Sequence, residues 1–457
     1  MLRLHDTATG RAESLRPLQP GKVSMYVCGP TVYDAPHIGH GRFTLVFDIL
    51  RRYLEWSGLE VTYVSNVTDI DDKIIARASA EGASTAEVAQ RHEDEWWQAM
   101  ASLGVKAPTH TPHATAYVDQ MIALVERLVG SGHAYRSSDG VYLEVATVPG
   151  YGLLARQPLE SLRAGARVST VGDKRSPLDF ALWKLARPEE PSWPSPFGAG
   201  RPGWHTECVA MALDLLGDDF DLHGGGADLA FPHHENERAQ AAALGYGFAR
   251  QWCHNGWVVD ASGEKMSKSL GNFTSLTDLL ARTDPRAYRL IVARAHYRHP
   301  LVVTPETIAD AERALGRLDA LARRAGVGIG GICPVSPDRP VLDRFAAAME
   351  DDLDTPAATA QVFELARTAN AAFDAGNGAE GLRLAASVAE ACAALGLVLR
   401  GAEDAVDDGA TELVRRRDEA RTARDFAGAD ALRDQLVARG WVVEDGPSGT
   451  KVRRAGS

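Results

Sequence analysis

The sequence predicts an α/β fold: a Rossmann-type parallel-sheet domain carrying an insertion, then a helical bundle and a small C-terminal α+β unit. Three observations carry this. A buried-strand pattern, a helical pattern and a second strand pattern follow one another before residue 66, the order of a βαβ unit. Alanine-rich amphipathic segments fill most of 305–397. The acidic linker Gly401–Gly409 (GAEDAVDDG) then sets off a basic tail.

In chain order, KVSMYVC (22–28) is a short apolar strand closed by Gly29-Pro30. Between Gly39 and Gly58 the period becomes helical, with Phe43, Val46, Phe47, Leu50 and Leu54 on one stripe and Gly58 as the stop. Strand LEVTYVS (59–65) follows, then helices near 71–82, 85–103 and 114–130 and a hairpin over Ala134–Val145 centred on Asp139-Gly140. Residues 146–203 are rich in Pro, Gly and Arg and weakly periodic. The expected division is 1–104 and 204–260 for two halves of the catalytic sheet, with 105–203 as the insertion. The second half has a helix from about Glu207, a strand at Phe220–His223, three glycines and a helix over Pro232–Leu244. Residues 261–310 form a connecting region, 311–400 the bundle, and 410–457 the terminal unit, with one basic helix (414–439) and strands Trp441–Glu444 and Thr450–Arg453.

Of the 457 residues, 45% are hydrophobic and 24% charged, an ordinary globular balance, and no apolar run reaches the ~20 residues that span a bilayer. The N-terminus lacks a basic-then-apolar leader, so the expected location is cytoplasmic, and no isolated apolar helix calls for a partner subunit, so the expected state is a monomer. A net charge of −12 excludes indiscriminate nucleic-acid binding and leaves room for a local basic face. Arg415, Arg416, Arg417, Arg421, Arg424, Arg433 and Arg439 form such a strip, which alone would also suit a solvated helix face. The five cysteines are an odd, scattered set, suited to core thiols, metal ligands or nucleophiles and not to a disulfide framework.

Two motifs suggest phosphate chemistry. Pro36-His37-Ile38-Gly39-His40 opens the first helix, where backbone N–H groups and the helix dipole favour an anion and two imidazoles can donate to a phosphorus centre gaining charge. The same histidines would also serve as simple caps. In Lys265-Met266-Ser267-Lys268-Ser269, between Gly263 and Gly271, two lysines three apart can neutralise a triphosphate. His233 and Glu237 lie four apart on a predicted helix and so point one way, a pair suited to a metal. Which cysteines join them is left open by spacing.

Together, YVCGPTVYDAPHIGHGR, NVTDIDDKIIARA, GARV, PLDFALWK, GRPGWHTECVAM, DLHGGGADLAFPHHENE and EKMSKSLGNF closely resemble the cysteinyl-tRNA synthetase family of class I aminoacyl-tRNA synthetases, from residue 22 nearly to the end. The resemblance implies ATP-dependent activation of cysteine and charging of tRNA(Cys), with ATP entering as its Mg²⁺ complex. It implies catalytic roles for His37, His40, Lys265 and Lys268, and a Zn²⁺ site at Cys28, Cys208, His233 and Glu237. ATP is expected against His37, Gly39, His40, Gly226, Asp228 and Lys268; Thr68 and Trp204 are expected in the amino-acid pocket, though each would also suit a core or cap. His234 and Glu235 are expected beside the metal ligands or on the helix surface, and Glu237 is the ligand expected to yield to substrate. Val452 stands where an aromatic is expected in relatives. Two other readings share these motifs: an ATP-dependent ligase joining cysteine to an amino sugar, and a non-catalytic RNA-binding protein. The C-terminal tail argues against the first, the intact motifs against the second.

Overall fold

The computed structural model describes residues 2–157, 173–260, 275–328, 333, 335–401, 408–446 and 449–454. These fall into two compact units. The first is Met1–Ile308 with Ala346–Thr359 and Ala394–Gly396; the second holds Ala309–Phe345, Ala360–Ala393 and Leu397–Ser457.

The first unit opens with an antiparallel hairpin, β1 (Arg3–Asp6) and β2 (Arg11–Ser14), which the sequence reading missed. Strand β3 (Lys22–Val27), helix α1 (Ile38–Trp56) and strand β4 (Glu60–Val64) then form the expected βαβ unit, with β3 and β4 parallel. The apolar stripe of α1 is its buried face: Leu45, Phe47, Leu50 and Leu54 are almost wholly covered. Between β4 and β9 lie the helix Val118–Gly130 and an antiparallel sheet in the order β5 (Ala134–Ser137), β6 (Gly140–Leu143), β7 (Phe180–Leu185), β8 (Gly200–Pro202). Only its first hairpin was legible. β7 and β8 are short and hidden in Pro/Gly-rich sequence.

The chain returns through the helix Trp204–Leu216 to β9 (Asp219–Gly226) and, after the helix Glu235–Ala243, to β10 (Phe248–Asn255). β9 therefore takes in the three glycines that the sequence puts after the strand, and β10 is a strand the sequence does not mark. The parallel sheet runs β10-β9-β3-β4. Because β3 is flanked by β4 on one side and β9 on the other, the crevice at their carboxyl ends lies where the strand order reverses, the position where open α/β sheets bind ligands. Short strands β11 (Val258–Val259) and β12 (Leu301–Val302) pair beyond it. Buried Arg42 of α1 holds this part of the unit to the sheet through the carbonyls of Trp257, Tyr297 (3.1 Å) and His299.

The second unit contains most of the helices Pro305–Arg324, Arg339–Glu350, Thr355–Asp374 and Gly378–Ala394. Its tail corrects one expectation. The basic stretch is two helices, Asp408–Thr422 and Phe426–Ala438, because Arg424 takes a left-handed φ of 60° and Asp425 caps the second. Strands β13 (Trp441–Gly446) and β14 (Gly449–Arg454) close the unit, with Val452 packed on a core that includes Leu436 and Trp441. Among the described residues no helix is long and apolar enough to cross a membrane.

Asp48 of α1 and Arg289 form a buried ion pair at 2.5 Å, each side chain 1% exposed, with Arg52 adding a second contact to Asp48 at 2.7 Å. Burial alone would raise the Asp48 carboxyl, but Arg289 and Arg52 outweigh it and hold it below the usual range. The stabilisation is thus fully present above the unfolded carboxylate pKa of ~3.9 and is lost as pH falls through the lower folded value. Asp48→Ala should cost about 3–5 kcal/mol at pH 7, read as a lower urea midpoint, because it strands a buried guanidinium. The gap between wild type and Asp48→Asn should hold from pH 7 to 5 and shrink below pH ~4; a gap widening in acid would contradict the assignment.

Candidate active site and metal centre

α1 begins with His37 at its N-cap and His40 at its third helical position, and the two cap each other. The His40 N–H donates to His37 Nδ1 at 3.3 Å and the His37 N–H to His40 Nδ1 at 3.2 Å, with the rings stacked at 3.7 Å. An accepting Nδ1 places the proton of a neutral ring on Nε2. Capping and ligand binding, left as alternatives by the sequence, are therefore compatible. The cap uses Nδ1, and the donor on Nε2 is a different atom. Any side chain at Gly39 would lie 2.8 Å from the His37 ring, so glycine permits the stack.

This pair borders a cleft of about 320 Å³ whose lining also includes Cys28, Gly39, Lys73, Trp204, Gly226 and Asp228. Seven of the sequence-predicted positions thus share one cleft. Thr68 is not on its wall. It is 2% exposed, donates to Glu207 Oε2 at 2.9 Å and accepts from Asn66 Nδ2 at 3.2 Å, because its segment turns inward to bridge Thr31. Lys265 and Lys268 lie outside the described residues.

Below the cleft, four elements converge. Cys28 follows β3 directly, Cys208 lies in the second turn of Trp204–Leu216, His233 in a π-helical turn (Ala230–His234), and Glu237 in the helix after it. Gly29 makes the Cys28 position possible, since a Cβ there would sit 1.7 Å from the Asn66 carbonyl oxygen. The four ligand atoms lie within 4.8 Å of one another, all buried. The separations are Cys28 Sγ–Cys208 Sγ 3.7 Å, Cys28 Sγ–Glu237 Oε1 3.5 Å, Cys208 Sγ–His233 Nε2 3.6 Å and His233 Nε2–Glu237 Oε1 3.0 Å. A tetrahedral zinc with Zn–S bonds of ~2.3 Å and Zn–N of ~2.0 Å has S–S edges of ~3.8 Å and S–N edges of ~3.5 Å. The donor set fits that ion in type and spacing.

Its protonation tells the same story. Burial and contact with Cys208 push the Cys28 thiol well up, while contact with Cys28 draws Cys208 down to about 6. Burial would lower His233, yet Glu237 and Cys208 outweigh it and raise it to about 10. With no metal, a proton on His233 balances the buried anions. That is the place of a cation.

Of the surrounding histidines, sequence reasoning singled out His234 and missed His205, His223 and His254. His205 Nδ1 meets His233 Nδ1 at 2.8 Å, and burial followed by His233 keeps His205 neutral, so its Nδ1 can accept a hydrogen bond from the His233 Nδ1–H. His223 Nε2 holds the second oxygen of Glu237 at 2.8 Å. His234 Nε2 lies 3.3 Å from the Cys28 sulfur, and its Nδ1 contacts His254 Nε2 at 2.8 Å. These side chains also give a second donor set, Cys28, His223, His234 and Glu237. The available signal was a histidine in each of GWHTEC, DLHGGG, PHHENE and WCHN, but only the fold shows that these segments meet.

Comparison with known proteins decides the family. A tRNA synthetases class I (C) catalytic domain matches residues 14–313, a DALR domain 344–400, and a cysteinyl-tRNA ligase anticodon binding domain 403–453. The chain is 48% identical to a cysteine–tRNA ligase of Alkalilimnicola ehrlichii, over 99% of this chain and 100% of the relative. It is 46% identical to a cysteine–tRNA ligase of Halorhodospira halophila, again over 99% and 100%. This chain belongs to the cysteinyl-tRNA synthetase family. Among solved structures, Mycobacterium tuberculosis methionyl-tRNA synthetase in complex with methionyl-adenylate covers 89% of this chain and 96% of its own, with a TM-score of 0.60 at 16% identity, a likeness of fold. The cleft and the donor cluster both lie within the residues that the catalytic-domain match covers.

His223→Ala should free one oxygen of Glu237 and speed metal loss to a chelator by about 10–100-fold. Stopped-flow release into a chromophoric chelator measures this, and a rate within twofold of wild type would contradict the role.

Proposed function

We propose that the protein is a cysteine–tRNA ligase that activates cysteine with ATP and passes the cysteinyl group to the 3′-terminal ribose of tRNA(Cys). The observation that carries the reading is the four-donor cluster of Cys28, Cys208, His233 and Glu237, with Cys28 lining the cleft that holds His37 and His40. Zinc held there would supply a soft Lewis acid that prefers a thiolate to the hydroxyl of serine. A merely apolar pocket separates such near-isosteres by only ~1–3 kcal/mol, short of the ~10⁴ that protein synthesis can require.

In the first step the cysteine carboxylate forms a bond to the α-phosphorus of Mg-ATP as the bond to pyrophosphate breaks. His37 and His40 donate to the phosphoryl oxygens as charge grows on them, and the Lys265–Lys268 motif takes the departing pyrophosphate. Gly226 and Asp228 hold the nucleotide, and Trp204, stacked on His233 at 4.1 Å, bounds the amino-acid pocket. In the second step a ribose hydroxyl, the 2′-OH by family resemblance, attacks the carbonyl and AMP leaves. No protein nucleophile is needed.

Residues 1–104 and 204–260 are the two halves of the catalytic domain in this reading, supported by a sheet drawn from both. The terminal unit meets the tRNA through Arg416, Arg421, Arg424, Arg433 and Arg439, which are exposed. Arg417 leaves the predicted strip: it is buried and donates to Thr450 Oγ1 at 2.5 Å. Arg415 is tied to Glu412 at 2.8 Å and also to Glu419. We place the reaction in the cytoplasm, with a monomer as the working form. The amino-sugar ligase is not favoured, since the anticodon-binding match spans 403–453.

Cysteine-dependent ATP–pyrophosphate exchange followed by tRNA charging tests the whole reading; exchange without charging would instead indicate a different acceptor. Lys268→Ala should lower kcat for exchange far more than it alters KM for cysteine, and equal effects on both would argue against its role on pyrophosphate. By elemental analysis the wild type should carry zinc and Cys208→Ser should lose most of it. Unchanged zinc would remove Cys208 from the site.

A further inference from the structure

We infer that Lys73 is a further substrate-binding residue of the cleft, its ammonium group taking a phosphate oxygen of ATP or of the terminal phosphodiester of the tRNA. This rests on the ligase reading above. Lys73 lies in the first turn of the helix Asp72–Glu81 and is exposed. Among the described residues it is the one lysine or arginine on the cleft wall. Three aspartates precede it closely, and each is engaged elsewhere. Asp69 accepts from the Thr115 N–H at 2.9 Å and from the Thr115 hydroxyl at 2.5 Å. Asp71 caps the helix, accepting from the Lys73 backbone N–H at 2.9 Å. Asp72 pairs with Lys184 of β7 at 2.6 Å and with Arg201 of β8. The Lys73 ammonium is left without a carboxylate partner among the described residues and rests over the Tyr33 ring, 5.0 Å from its centroid.

A cation without a counter-ion on a cleft wall draws an anion into that cleft. Its place in the fold fits a phosphate. Tyr33 belongs to the loop between β3 and His37. That loop is held beside the segment after β4, with the Val32 N–H donating to the Thr68 carbonyl at 3.2 Å and the Thr68 N–H to the Pro30 carbonyl at 3.0 Å. The strand order β9-β3-β4 then sets Gly226 and Asp228, which end or follow β9, on one side of the histidines and Lys73, which follows β4, on the other. A nucleotide held at Gly226 and Asp228, with its α-phosphoryl at His37 and His40, therefore leaves the Lys73 side for its remaining phosphates or for the incoming acceptor. An ammonium on a flexible stem suits either, since it binds as a point charge and needs no fixed fork.

The test compares the full-length enzyme as purified with Lys73→Gln, and uses Lys73→Arg as the variant that keeps the charge. Lys73→Gln should lose about 10-fold in kcat/KM for ATP in pyrophosphate exchange, or in the single-turnover rate of transfer from enzyme-bound cysteinyl-adenylate to tRNA. That is the low end for removing a hydrogen bond to a charged group. A loss already present in exchange assigns the phosphate to ATP, and one confined to transfer assigns it to the tRNA. In both cases KM for cysteine should stay within twofold of wild type, and Lys73→Arg should recover most of the loss. Both rates within twofold of wild type overturn the inference, and so does a loss that raises KM for cysteine equally or that Lys73→Arg does not relieve. Should Lys73→Gln fail to fold, Lys73→Met keeps an apolar stem over Tyr33 without the charge and is read in the same way. Wild type without cysteine-dependent exchange would instead defeat the ligase reading itself, a result distinct from an inert Lys73.

Discussion

The cleft depends on holding two thiols and a carboxylate, all buried, within contact of one another. Deprotonated, these groups repel, and the low-dielectric interior makes that repulsion expensive without a cation among them. The fold resists it by rigid means. Cys28 is fixed by the strand it terminates, Cys208 by a helix whose interior face is buried, and His233 and Glu237 by a π-turn running into a helix. The ligands come from three separate segments, so the cluster exists only when the end of β3 and the two helices have docked. A cation there joins the two halves of the catalytic sheet and adds its binding energy to folding.

The same economy of position appears at α1. Reciprocal capping by His37 and His40 settles backbone groups that a helix start leaves unsatisfied, and it fixes both rings in a stack before any ligand arrives. Glycines permit the close approaches on either side. A Cβ at Gly224 would lie 2.3 Å from Phe47 of α1, and one at Gly225 would lie 3.0 Å from His234. The DLHGGG run is thus first a packing device that brings α1 and the histidine cluster against β9. Only Gly226, at its end, reaches the cleft.

This explains what the sequence could and could not reveal. Elements with strong periodicity or end signals, such as α1 and the bundle helices, were legible because their burial pattern is local. β10 reads FARQWCHN, with no breaker or alternation to mark it, and β8 is only Gly200–Pro202; both owe their strand character to neighbours supplied by the fold. The break in the basic tail at Arg424 has no proline or glycine to announce it. Within the site, the described residues carried by motif come together, whereas Thr68, His205, His223 and His254 meet partners 14 to 139 residues away, which spacing does not encode.

The structure also sharpens how four ligands could make room for a substrate's sulfur. From sequence, Glu237 is the ligand expected to give way. Its surroundings argue otherwise. One oxygen faces Cys28 and His233 at 3.5 and 3.0 Å, and the other is held by His223 at 2.8 Å. Burial would raise its pKa, but His223 and His233 outweigh that and keep it ionised. Moving it away would break a wholly buried contact and leave a charge without its partners, a change that costs several kcal/mol. Cys28, by contrast, lines the cleft. The least costly way for a zinc held by these residues to accept a thiolate would therefore leave Glu237 where it is, with the thiolate entering from the cleft that Cys28, His37 and His40 line.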